Sequence, residues 1–269
     1  MVFFICILMK LNEGSYDLIG KIAIVKFSKE TKATAKKKFA NKLLKENKSI
    51  TTVVEKIGKF RGRLRKQETR FIAGDKTKEA LHKENGCVFR LNVDEVYFSP
   101  RLSNERKEIS ENIKKNDLVL VMFAGVGPFP IVIAKNSKAK KVYSNEINRE
   151  ANKYGKLNIE LNKLKDRVFI LPGDVKKVIG KIGREKFDVI VMPRPRLKET
   201  FLKEAFSISK KGTRIFYYDF CKEDETKEIV EKIKLEAKKA RKKIKILKTK
   251  VAGEIAPYSV RVRVDFKVL

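Results

Sequence analysis

The sequence predicts an α/β chain with a mainly parallel sheet, a C-terminal antiparallel hairpin and a small α+β unit in front. Three observations predict it. Leu118–Phe123 (LVLVMF) is an unbroken apolar run of strand length, and similar runs recur at Val168–Leu171, Phe187–Met192 and Thr213–Phe220. Helix-spaced apolar residues separate these runs, which is the alternation of a parallel sheet. Lys243–Val251 and Val260–Val268 are joined through a turn at Ala256–Ser259, so the last two strands form a hairpin.

Residues 1–95 form the small α+β unit, an expected RNA-binding domain, and 96–269 the larger one. Met1–Met9 (MVFFICILM) is apolar but too short to span a bilayer. It has no basic n-region or small-residue cleavage site, so it reads as a first strand rather than a signal peptide. Ile19–Phe27 alternates as a half-buried strand. Thr31–Asn47 carries Ala35, Phe39, Ala40, Leu43 and Leu44 at helical spacing beneath a lysine-rich face. A β stretch with an arginine cluster follows (FRGRLR, Phe60–Arg65), then Thr69–Ala73. Turns are expected at Gly74–Asp75 and at HKENG (His82–Gly86), and a strand at Val88–Val96. Pro100 stops that strand, and Ser103 or Asn104 is placed to cap a helix over Glu105–Lys114.

In the second unit, helices are expected at Arg149–Asn162, before Phe187, at Lys198–Lys210 and at Glu223–Lys242. The order of strands, helices and terminal hairpin is that of a class I methyltransferase, a Rossmann-like domain.

Composition narrows the partners. Lys and Arg number 64 against 33 Asp and Glu, a net charge of +31. A thermophile-type Lys/Glu surface would balance its signs, so the excess is the electrostatic footprint of a protein that meets a polyanion. The three cysteines (Cys6, Cys87, Cys221) are far apart with no CxxC, which argues for a reducing, cytoplasmic setting without disulfides or zinc. A single histidine, His82, excludes His-rich metal sites and chemistry needing two imidazoles. No metal and no membrane partner are expected, and the chain is expected to be a monomer.

Leu118–Asn148 has the layout of a nucleotide-binding βαβ unit: strand, turn with Gly125 and Gly127, apolar helix, short strand, then Glu146 about 20 residues past the turn. The glycines admit close approach of a ligand, and the carboxylate can take both ribose hydroxyls. A dinucleotide site needs a third glycine, but Pro130 stands there with Pro128 before it, and neither has an N–H for phosphate. No Walker-type GK[ST] follows. A ligand with ribose and adenine but no phosphate fits, and S-adenosylmethionine is the common one; an ordinary ligand-free crossover has the same layout.

Two long motifs, VYFSPRLSNER (Val96–Arg106) and MFAGVGPF (Met122–Phe129), make the chain resemble the archaeal and eukaryotic tRNA guanine-37 N1-methyltransferases and their wyosine-pathway relatives. The resemblance runs from Tyr16 to the C-terminus and includes HKENG, NEIN (Asn145–Asn148), GDV (Gly173–Val175) and APYSVRVRVDF (Ala256–Phe266). It implies methyl transfer from S-adenosylmethionine to the purine beside the tRNA anticodon. Glu105 would be the base that removes the N1 proton, with Arg101 and Arg106 holding it and neutralising charge on O6. Tyr97 would contact the extruded base, and an arginine of the cluster, Arg63, the nucleotide or the anticodon stem-loop. Glu146 would hold the cofactor ribose and Asp174 its adenine amino group, with Phe123, Gly125, Gly127 and Met192 around them.

The sequence departs from the family pattern in places. Val121 stands where an acid often precedes MFAG. The strand end usually reading NPP or NLP is Met192-Pro193-Arg194-Pro195-Arg196, which puts Pro193 and Arg194 beside the acceptor base. The variant resembles the archaeal branch that also methylates C7 of the tricyclic wyosine precursor. Only a short lead precedes YDLIG, where longer members carry an additional N-terminal domain. Two other readings exist: a wyosine-pathway aminocarboxypropyl transferase, whose branch loses the proline-containing strand end kept here, and a silent RNA-binding protein, which leaves Glu105, Glu146 and Asp174 unexplained.

Overall fold

The structure, a computed structural model, describes residues 15–182 and 185–269. The expected strand over Met1–Met9 and Cys6 lie outside the described residues. The chain divides into two compact units, which meet in sequence at Arg101/Leu102 rather than at 95/96.

The first unit is built on a four-stranded sheet of order β1-β2-β3-β4: β1 Ser15–Ile19, β2 Ile22–Lys26, β3 Thr52–Arg61 and β4 Lys66–Gly74. Helix α1, Ala33–Glu46, crosses over between the parallel strands β2 and β3. It buries Phe39, Ala40 and Leu43 against Ala23, Val25, Val53 and Ala73. Lys36 reaches down to Glu55 on β3 at 2.6 Å, while Lys37, Lys38, Lys42 and Lys45 stay exposed. A separate hairpin, β5 Glu79–Glu84 and β6 Cys87–Asn92, completes the unit.

Three expectations change here. Ile19–Phe27 is not one strand, because Gly20 turns at φ +58° and makes β1–β2 a hairpin. A Cβ at Gly20 would stand 2.6 Å from the Leu81 carbonyl oxygen, so the turn needs glycine for space as well as for φ. The arginine cluster is only partly strand, since Phe60 and Arg61 end β3 and residues 62–65 turn. Those four residues are the tip between β3 and β4, with Gly62 and Arg65 at positive φ. His82 lies within β5 instead of a turn; its Nδ1 accepts the Gly20 N–H at 3.1 Å and its ring meets Phe98.

The second unit is a seven-stranded sheet of order β12-β13-β11-β10-β7-β8-β9. Its strands are β7 Leu118–Met122, β8 Lys141–Glu146, β9 Val168–Pro172, β10 Phe187–Met192, β11 Ser209–Lys222, β12 Ile244–Ala256 and β13 Ser259–Val268. Strands β7 to β11 pair in parallel, and β13 inserts antiparallel between β11 and β12. Central β7 is buried on both faces, which is why its sequence is apolar throughout instead of alternating. The helices are α2 Ser103–Glu111, α3 Pro128–Asn136, α4 Arg149–Leu161, α5 Val175–Val178, α6 Leu202–Ser207 and α7 Thr226–Lys239. Leu202, Ala205 and Phe206 of α6 and Ile229, Ile233 and Ala237 of α7 close a core over Ile190, Ile215, Val262, Val264 and Phe266.

The expected helix Lys198–Lys210 shrinks to α6. The buried guanidinium of Arg194 binds the carbonyls of Leu197 and Glu199 and pairs with Asp219, which holds 193–199 as a loop. Neither Ser103 nor Asn104 caps α2, whose N-cap is Leu102 without a side-chain bond. No helix among the described residues is long and apolar enough to cross a membrane. Among them, no group of three or more His, Cys, Asp or Glu could hold a metal ion.

Gly74 ends β4 at φ +90°, and a Cβ there would come 2.1 Å from the Thr51 carbonyl oxygen. Gly74→Ala should therefore destabilise the first unit by about 2 kcal/mol or more, through strained φ and a backbone clash. Thermal unfolding checks this; an unchanged midpoint would show that the turn tolerates a side chain.

Candidate active site

Parallel strands place the loops after β7, β8 and β9 at one edge, where open α/β sheets bind ligands. Phe123 leaves β7 at φ +59°, a left-handed conformation costly for a bulky residue, and is braced by the ring of Phe201 at 5.0 Å. Gly125 and Gly127 follow at φ +58° and +88°, and Gly127 is the N-cap of α3. Pro128 and Pro130 open that helix, and the Ile131 N–H is already bonded to Gly127. Its first turn therefore offers an anion little, in keeping with a ligand that carries no phosphate.

Glu146 ends β8. Its Oε2 accepts the Gly125 N–H at 2.8 Å and its Oε1 the Asn148 N–H at 2.7 Å, so one carboxylate ties the glycine turn to the start of α4. Burial pushes its pKa above the usual carboxylate range, while the N–H groups of Asn148, Gly125 and Ile147 pull it back. Each oxygen keeps a further lone pair for a ribose hydroxyl. Asparagines hold the loops around it. Asn145 donates to the Leu171 and Gly173 carbonyls at 2.8 and 3.0 Å. Asn152 bonds the Glu146 carbonyl at 2.9 Å, and Asn158 the Val126 carbonyl at 3.0 Å. Asn148 caps α4 through Glu150 N–H. Asp174 caps α5, accepting the Lys176 N–H at 3.1 Å, and stands one loop from Glu146 because the Gly173 N–H donates to the Glu146 carbonyl. These residues fit an adenosine-bearing group: a carboxylate for the ribose, a second at the next strand end, and a close glycine turn.

The residues expected at the acceptor belong partly to the first unit and partly to the second. In the first, Tyr97 has the guanidinium of Arg65 over its ring at 5.3 Å, and Arg63 is exposed in the same β3–β4 turn. Arg65 of the same cluster is thus brought to Tyr97, a contact the sequence alone did not single out. Arg101 binds Asp17 at 2.8 Å. Burial pushes the Lys56 pKa down, with Arg65, Lys26 and Arg101 adding repulsion, so this face gathers cations.

In the second unit, Glu105 is only 5% exposed. Its Oε2 accepts from Tyr218 Oη at 2.9 Å and Arg263 Nη1 at 2.7 Å, and its Oε1 meets Lys250 Nζ at 2.7 Å. Arg263 and Lys250 are thus cations on Glu105 that the sequence had not pointed to. Arg106 is buried with its guanidinium 5.6 Å from the centre of the Phe129 ring. Tyr218, Lys250 and Arg263 escaped the sequence reading, although the alternation of VRVRVD already put Arg263 on the face opposite Val262 and Val264.

Two further residues of the expected site are buried. The Met192 side chain is fully buried in the sheet core. Arg194 is 2% exposed; its Nη1 binds Asp219 and its Nη2 the carbonyls of Leu197 and Glu199, which shapes the strand end, while its buried Nε has no partner among the described residues. Pro193, beside it, is half-buried.

A model of the TRM5/TYW2 methyltransferase domain matches residues 80–247, and one of the TYW2 N-terminal domain matches residues 8–77. The chain is 37% identical to the tRNA (guanine(37)-N(1))-methyltransferase Trm5b of Pyrococcus abyssi, over 94% of this chain and 74% of that protein. It is 32% identical to the tRNA (guanine(37)-N(1))/4-demethylwyosine(37)-methyltransferase Taw22 of Nanoarchaeum equitans, over 95% of this chain and all of that protein. The solved structure of Methanocaldococcus jannaschii Trm5 in complex with adenosine superposes with a TM-score of 0.78 at 31% identity, covering 94% of this chain and 72% of that one. Sheet order, adenosine-compatible edge and sequence agree: the chain belongs to the TRM5/TYW2 methyltransferase family.

Proposed function

We propose that this protein methylates N1 of guanosine 37 in tRNA. The observation that carries the reading is the Glu146 carboxylate, bonded to both Gly125 and Asn148 at the edge of a class I sheet. S-adenosylmethionine, when bound there, supplies an electrophilic methyl group. The chain's own work is to hold the cofactor ribose at Glu146 and its adenine at Asp174, to grip the acceptor nucleotide, and to remove a proton. Guanine N1 carries a proton and is a poor nucleophile until it leaves, so a carboxylate must receive it, and Glu105 is that acceptor. Arg65 and Tyr97 form a cation-and-ring pair suited to a base and its phosphate. The cationic face around Lys56 and the lysines of α1 carry the tRNA backbone, and the enzyme works in the cytoplasm as a monomer.

One observation favours a second substrate. Pro193 follows β10 directly, where an asparagine would present an amide to the guanine edge, and Arg194 fixes that loop. A strand end without an amide leaves room for the tricyclic wyosine precursor, so C7 methylation at position 37 is part of the proposal.

Glu146→Ala should weaken S-adenosylmethionine binding roughly 10–100-fold by calorimetry, the worth of hydrogen bonds to a charged group. Because the Glu146 pKa is raised, wild-type affinity should also fall on acidification at a pH above the ordinary carboxylate value of 4.5. Unchanged affinity in the variant removes Glu146 from the cofactor site. Affinity for tRNA should drop by on the order of 10² between roughly 50 and 200 mM salt; a flat profile would contradict backbone binding by the lysines. Offered tRNA carrying the tricyclic precursor, the enzyme should add one methyl group to it. Turnover confined to guanosine would restrict the function to N1.

A further inference from the structure

Glu105 sits in a charge cluster that the proposed chemistry does not yet use. Three carboxylates, Glu105 and Glu108 on α2 and Asp265 on β13, meet three cations, Lys248 and Lys250 on β12 and Arg263 on β13. Arg263 is its centre and is 1% exposed. Its Nη1 binds Glu105 Oε2 at 2.7 Å, its Nη2 binds Glu108 Oε1 at 2.6 Å, and its Nε binds Asp265 Oδ1 at 2.8 Å. Asp265 also accepts from Nη2 at 2.9 Å, which fixes the plane of the guanidinium.

The two oxygens of Glu105 are treated differently. Oε2 is held from inside the sheet by Arg263 and by the Tyr218 hydroxyl, which burial keeps protonated and therefore donating. Oε1 meets Lys250, and Lys250 also binds Glu108 Oε2 at 2.6 Å. Lys250 is the more exposed of the two cations, and Glu108 is a carboxylate it already touches. An arginine buried between three acids cannot move without stranding them, whereas this lysine can pass wholly to Glu108.

We propose that Tyr218 and Arg263 are positioning residues that clamp Oε2 of Glu105 and leave Oε1 to receive the substrate proton once Lys250 is drawn to Glu108. In that step the N1–H bond breaks, its electron pair stays on N1, and the proton forms the new O–H bond on Oε1. Glu105 later returns the proton to water. The inference rests on Glu105 being the proton acceptor, and the experiment separates the two claims.

Single-turnover methylation of guanosine-37 tRNA would be measured for Glu105→Gln, Tyr218→Phe, Arg263→Lys and the double variant Glu105→Gln/Tyr218→Phe. Affinities for S-adenosylmethionine and tRNA would be measured alongside. Tyr218→Phe removes one hydroxyl and keeps the ring, so the chain folds with the wild-type melting temperature. Its rate should fall about tenfold with both affinities unchanged, the loss of one bond to a charged group. Arg263→Lys keeps the charge but loses the fork, and should lose more. In the Glu105→Gln background the Tyr218 change should cost nothing further, because both act through one carboxylate. Tyr218→Phe at wild-type rate, or a tenfold loss that persists in the double variant, would overturn the clamp while leaving the base intact. A fully active Glu105→Gln would overturn the base itself.

Discussion

The hydrogen bonds from Gly125 and Asn148 to the buried carboxylate of Glu146 are the constraint from which the cofactor edge follows. Three parallel strands end side by side there, and the chain must turn after each. The turn after β7 is strained, with Phe123, Gly125 and Gly127 all at positive φ. Unsupported, it would relax. Glu146 binds it directly, and the asparagines of β8 and α4 bind the neighbouring carbonyls, so the loops keep their shape before any ligand arrives. Such pre-organisation puts the ordering cost on folding instead of on binding.

The site of the proposed proton acceptor has a different physical basis. Glu105 is taken out of water and given an arginine, a lysine and a tyrosine hydroxyl, so its charge is matched inside the protein. A carboxylate in water is hydrated from every side and accepts protons at either oxygen. Held from one side, it presents one oxygen in one direction. The same cluster ties α2, which carries Glu105, to β13 and β12, so the placement of this acid depends on the antiparallel end of the sheet.

The sequence made the parallel strands legible because β7 and β10 are apolar almost end to end, a pattern that only a strand buried on both faces needs. Glu146 was legible too, since ligand and fold both fix its distance from the glycines. What stayed hidden was decided by distant parts of the chain. Ile19–Phe27 alternates through Gly20 without interruption, and the turn there is set by contact with Leu81, 61 residues on. The sequence around Glu105 does not name its bonded partners on the far strands. The groups that reach it, Tyr218 and Arg263, lie 113 and 158 positions later. Arg194 shows the same: that it pins the loop after β10 depends on Asp219, 25 positions later.

The central claim is methyl transfer to N1 of guanosine 37, and nucleoside mass spectrometry with position mapping tests it most directly. Transfer RNA bearing an unmodified guanosine 37 would be incubated with the protein and S-adenosylmethionine, digested, and its products located along the sequence. The account predicts 1-methylguanosine at position 37 and unmodified guanosine elsewhere. A methyl group on another atom or position, an aminocarboxypropyl adduct, or recovery of unmodified tRNA would contradict it.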